Sequence, residues 1–174
     1  MEKWIDLALE TGFSQAFFLN PGDLVPREDV RDQCAQDRCR SYGRNWTCPP
    51  HCGSLSQCAE KLHSYSHGIL LQSVGSCQKP IDTRAIRETE ERHIARLRKL
   101  FPLVKEVYSD ALCLGSGGCR VCRTCAWPEP CRFPDQALSS MEAYGLFVTQ
   151  VCRSCGASYY FGEKTVAFTG CILF

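Results

Sequence analysis

Three cysteines fall within seven residues, Cys119, Cys122 and Cys125, and Cys131 follows in the same run, CRVCRTCAWPEPC. Thiolates this dense on one segment suit a cubic iron–sulfur cluster, where three sulfurs wrap one face and a fourth closes the cube. The C-x2-C-x2-C spacing is that of bacterial ferredoxins with a longer last spacer. Zinc more often takes two short cysteine pairs set well apart, so a structural zinc knuckle is the alternative reading. Gly115, Gly117 and Gly118 precede the run and let the backbone bend around a bulky core. Pro128, Pro130 and Pro134 stiffen its exit and remove backbone donors. The remaining amides are free to face cluster sulfurs.

A second group lies earlier: Cys34, Cys39, Cys48, Cys52 and Cys58, five candidates for at most four positions. Cys48-Pro49-Pro50 resembles the cysteine–proline turn that ends ferredoxin ligand runs, but the wide spacing keeps zinc open here. His51 adds a nitrogen donor, although a histidine between proline and cysteine is more often a solvated loop residue. Cys77, Cys113 and Cys171 sit in or beside apolar runs and read as small buried hydrophobes. Cys152 and Cys155 form a C-x2-C pair, either a dithiol, half of a zinc site or two ordinary thiols.

The chain has 174 residues, 14 cysteines and a formal net charge of +1. That charge implies neither a nucleic-acid partner nor an acidic membrane surface. MEKWIDLALE lacks the basic and apolar regions of a signal peptide, and no apolar run reaches membrane-span length. A cytoplasmic protein is expected, in which thiols stay reduced and a disulfide scaffold is disfavoured. So many reduced cysteines call for a metal, and exposed clusters favour an anaerobic source.

The elements that must position these thiols are short. Helical spacing covers residues 2–11, ended by Gly12, and Ala16 to Leu19 reads as a strand. Residues 31–53 read as irregular ligand-bearing loop. Ser54 caps a helix over 55–65, and Gly68–Val74 is a buried strand. The longest helix runs from Asp82 or Thr83 to about Leu100, with Ile86, Ile94, Leu97 and Phe101 on one stripe, Glu88 pairing with Arg92, and Pro102 breaking or kinking it. Its many arginines read as a solvated face, or as a docking patch for an acidic redox partner. Ala111–Leu114 is a strand, Ser139 or Ser140 opens a helix through Tyr144, and 159–161 with 165–174 form a hairpin. The expected architecture is α+β, with a small, mostly antiparallel sheet, in one metal-binding domain over 1–174. Its ligand loops are 31–58 and 115–135. Tyr42, Trp46, Trp127 and Phe133 flank the ligands and are candidates to keep water from them, and Glu142 is either a first-turn acid or a proton donor.

Cys34 with Cys39, SYGRNWTCPP, Cys58, GGCRVCRTCAWPEPCRFPDQALSSMEAYG and the closing VAFTGCILF together resemble a known family. It comprises predicted metal-binding proteins of anaerobic bacteria and archaea, grouped as a domain of unknown function. The resemblance covers nearly the whole chain. It implies two four-cysteine sets: Cys34, Cys39, Cys48 and Cys58, and Cys119, Cys122, Cys125 and Cys131. Cys52 then falls at a non-ligand position, while Cys152 and Cys155 lie outside the pattern. Cys52, Cys152 and Cys155 are thus candidate additional ligands, and Cys58 and Cys131 could exchange between sites as in two-cluster ferredoxins. The function expected is electron transfer by two [4Fe–4S] clusters to a partner enzyme or cofactor, because full thiolate ligation leaves no iron open. The alternatives are an iron–sulfur enzyme with one open iron acting on a small molecule, with Glu142 or His51 handling protons, and a zinc-binding interaction module. No phosphate loop, dinucleotide fingerprint or nucleophile elbow is present.

Overall fold

A computed structural model describes residues 1–174. Helices α1 (Glu2–Glu10), α2 (Glu28–Ala35), α3 (Leu55–His63), α4 (Thr83–Lys105) and α5 (Val148–Ser154) surround five strands. These are β1 (Gln15–Leu19), β2 (Gly68–Ser76), β3 (Leu112–Gly115), β4 (Ser139–Ser140) and β5 (Thr165–Leu173). The sheet order is β1-β2-β5-β3-β4, antiparallel throughout except for the β3–β4 pair. The α+β expectation therefore holds.

Strand periodicity divides the core. Ile69, Leu71, Cys113 and Ile172 face one side, packed with Trp4 and Ala8 of α1 and Leu97, Leu100, Phe101 and Val104 of α4. Leu70, Leu114, Cys171 and Leu173 face the other, packed with Leu62, Met141, Leu146, Val151 and Cys152. No helix is long and apolar enough to cross a membrane.

Local signals placed many of the elements. Ser54 caps α3 through a capping box with Gln57, and Asp82 caps α4. Four readings need correction. The segment from Arg31 is not wholly loop, because α2 carries Cys34 in its last turn. Pro102 does not break α4, which continues to Lys105 because Phe101 and Val104 on either side of it are buried against the sheet. Ser139 and Ser140 pair with β3 instead of opening a helix, and only a 3-10 turn follows at Glu142–Tyr144. Tyr159 and Tyr160 are exposed and form no strand, since the partners of β5 are the distant β2 and β3.

Candidate metal centre

None of the fourteen cysteines is in a disulfide. The two cysteine regions arrive from different parts of the chain and meet beside the β3–β4 end of the sheet. β3 leads directly into the turn Gly115–Gly118 and the loop bearing Cys119, Cys122, Cys125 and Cys131. These four thiols line one small cavity together with Asn45, Trp46 and Phe133. No amide N–H from Gly117 through Trp127 donates to an acceptor within the chain. A backbone stretch this long normally spends its donors on turns, so the loop presents a row of uncommitted N–H groups beside four sulfurs.

The first region is more tightly self-bonded. Gly43, Arg44, Cys48, Cys52 and Gly53 all donate to carbonyls within residues 41–50. Cys34, Cys39 and Cys48 line a second cavity of about 190 Å³ with Tyr42, Gly117, Gly118 and Glu142. Cys34 on α2 points its thiol toward the Glu142 carbonyl at 3.9 Å. Burial, and then the Glu142 charge, raise the Cys34 pKa. Burial pushes Cys48 up to about 11, with Cys39, Cys34 and Cys119 adding repulsion, so Cys48 feels both cysteine sets.

Cys52 and Cys58 sit together at the edge of this group, under Arg31. The Arg31 guanidinium lies 3.8 Å from Cys52 Sγ and 3.7 Å from Cys58 Sγ. It is anchored by donating to the carbonyls of Ala143 at 2.5 Å and Gly53 at 2.6 Å. A hydrogen bond from Cys52, then Arg31, draws the Cys58 pKa down, and the same thiol–thiol bond raises that of Cys52. Cys58 is thereby a readier thiolate than Cys34, Cys48 or Cys52. Arg31 was not singled out by sequence, since a lone arginine has no motif.

Side chains from the first region brace the second loop. Trp46 Nε1 donates to the Glu129 carbonyl at 2.8 Å, and Asn45 Nδ2 to the Cys119 carbonyl at 3.5 Å. His51 stacks on Trp127 at 4.8 Å between ring centroids and meets Trp46 edge-on at 5.7 Å. Its Nε2 is buried without a partner, so the solvated-loop reading of His51 is corrected: it is a wedge between the two regions. Trp46 and Trp127 are half-buried, while Tyr42 and Phe133 are largely exposed.

Cys152 and Cys155 lie elsewhere. Cys152 is buried on α5, its sulfur 3.6 Å from Gln72 Nε2, and Cys155 is the half-buried C-cap of that helix. Burial raises both pKa values, Cys155 to about 11. Nowhere do three His, Cys, Asp or Glu side chains approach closely enough to hold one metal ion. Cys34, Cys39 and Cys48 instead line one cavity and the second group another, with the row of free amides in the second loop.

An α+β scaffold carrying one cavity-lining cysteine tetrad and one cavity-lining cysteine triad defines a cysteine-rich candidate metal protein. Residues 17–174 match the family described as predicted metal-binding protein (DUF2284), and the chain belongs to that family. No curated protein and no solved structure matches the chain.

Proposed function

We propose that the chain is an iron–sulfur electron-transfer protein holding two [4Fe–4S] clusters. Cys119, Cys122, Cys125 and Cys131 would hold one, and Cys34, Cys39, Cys48 and Cys58 the other. The observation that carries this reading is the loop from Gly117 to Cys131, where four thiols line one cavity and every amide from Gly117 through Trp127 lacks an acceptor within the chain. Cluster sulfurs need such donors, and hydrogen bonds to them set the potential. A single tetrahedral zinc needs its sulfurs gathered at about 2.3 Å from one point, and no three His, Cys, Asp or Glu side chains gather that closely. When bound, the clusters would take up and release single electrons.

The residues around the thiols have separable tasks. Trp46, His51 and Trp127 cover the boundary between the sets with aromatic surface and limit water. Arg31 places a fixed positive charge beside Cys58 and favours its thiolate. One face open to a redox partner is the exposed side of the second loop. Arg123 and Arg132 are exposed there and make no ion pair, whereas Arg84 and Arg87 on α4 are paired with Glu88 and Glu91. Arg92 and Lys99 on α4 are also exposed without an ion pair, so an acidic partner surface fits either face.

The test is anaerobic purification followed by iron, zinc and acid-labile sulfide analysis and electron paramagnetic resonance after reduction. Brown protein with about eight irons and eight sulfides per chain is expected. Cys122→Ala should abolish one of two signals and Cys48→Ala the other, while Cys152→Ala and Cys155→Ala leave both. Colourless protein containing zinc alone would refute the proposal.

A further inference from the structure

One hollow beside the cysteine loops is lined by only one of the candidate ligands, Cys119. It lies between α4 and the Gly115–Cys119 turn and encloses about 310 Å³, the lower end of the range for small-molecule sites. Ile94 and Leu138 give it an apolar floor, and Arg98, Ser116, Glu90 and Glu91 give it polar walls. Two of those groups are unspent: Arg98 Nε and Ser116 Oγ are both buried with no hydrogen-bond partner. Arg98 also has no carboxylate within ion-pair distance. Buried donors without acceptors are costly and uncommon, and a cavity-lining arginine with no carboxylate of its own points to an anionic ligand.

We infer that this cavity binds a small organic monocarboxylate with a short apolar body. The carboxylate is the planar acceptor a guanidinium matches best. The apolar body rests on Ile94 and Leu138. Charge around the rim sets the limit on the ligand. Glu90 is held by Arg120 at 3.0 Å and Glu91 lies 3.8 Å from Arg87, yet both carboxylates still line the cavity. One uncommitted cation facing two acids accepts a single negative charge and discriminates against a phosphate ester.

The turn is shaped for this proximity. A Cβ at Gly115 would lie 3.1 Å from Ile94 Cδ1, and one at Gly117, where φ is +67°, would lie 2.7 Å from Glu90 Oε1. The same turn walls all three cavities: Gly117 and Gly118 also line the Cys34–Cys39–Cys48 cavity, and Cys119 also lines the second tetrad's cavity. A bound carboxylate would therefore lie against the backbone carrying one ligand cysteine and bordering both sets. The inference concerns binding alone and does not depend on which metal the thiols hold.

Equilibrium dialysis of the anaerobically purified full chain against radiolabelled butanoate tests it, with butanamide and butyl phosphate as competitors. Saturable binding of one butanoate per chain is expected, with both competitors at least about tenfold weaker. Arg98→Met should weaken butanoate by about tenfold or more at unchanged metal content and circular dichroism. Ala95→Phe, at an exposed α4 position on the cavity wall, should block the site by bulk and covers the case in which Arg98→Met fails to fold. Absent saturation, equal competition by butanamide, or undiminished binding in either folded variant would overturn the site. Metal content measured on the same samples keeps that outcome distinct from failure of the iron–sulfur assignment.

Discussion

The His93 imidazole lies between α4 and the sheet, edge-on to Phe13 and near Phe168, with Nδ1 3.1 Å from Ser73 Oγ. Arg96 donates to the same hydroxyl at 3.0 Å. Burial, then the Arg96 charge, push the His93 pKa down to about 3. The unfolded chain binds a proton on this ring near pH 6.5, so the folded state's neutral histidine costs nothing above that pH. Below it, stability is lost by about 1.4 kcal/mol per pH unit until about pH 3. Urea denaturation should therefore show wild type losing about 2 kcal/mol more than His93→Gln between pH 6.5 and pH 5; parallel curves would contradict the assignment. At this scale the thiols of the second loop were legible because their chemistry is written in local spacing. His51 and Arg31 were not, because each acquires its role from a partner far away in sequence: Trp127 for one, Ala143 for the other.

Among the elements, α4 and the strands beneath it depend on side chains that are missing. A Cβ at Gly170 on β5 would lie 2.7 Å from the Leu114 carbonyl and 3.0 Å from His93 Nε2. The first contact is backbone and cannot swing aside. Gly170→Ala should destabilise the protein by about 2 kcal/mol or more, measured as a shift in urea midpoint; a neutral result would mean that β3 and β5 separate easily. Helix α4 also shows how tertiary burial overrides local rules. Its stripe includes buried Thr89 and His93, which hydropathy left out, and it continues through Pro102. Glu88 pairs with Arg84 at 2.7 Å, while Arg92 donates to the Glu88 carbonyl and to Thr89 in place of the expected carboxylate pair. Helix α5 had no periodic signal in its seven residues, so its C-x2-C pair stayed open between a dithiol, half a zinc site and ordinary thiols, and Cys152 is packed in the core.

Across the whole molecule, two cysteine regions distant in sequence share one end of the sheet, and the second has little secondary structure of its own. Between β3 and β4, few backbone groups are bonded, whereas both core clusters lie under regular elements. Metal binding and loop order should therefore be coupled, with the sheet indifferent to both. Chelation under anaerobic conditions should open trypsin cleavage at Arg120, Arg123 and Arg132 while far-UV circular dichroism is largely kept. Equal resistance before and after chelation would show that the loop holds its shape without metal.

The chain by itself determined the donor chemistry and the elements with strong local signals, such as α3, β2 and α4: thiol spacing is local, and helix caps and buried apolar runs act over a few residues. Assembly in three dimensions decided the rest. It placed Cys58 beside Cys52 under Arg31, set β4 parallel to β3, and made the Gly117–Cys119 turn a common wall for three cavities. Those relations join segments tens of residues apart, and no short-range pattern encodes a distance between them.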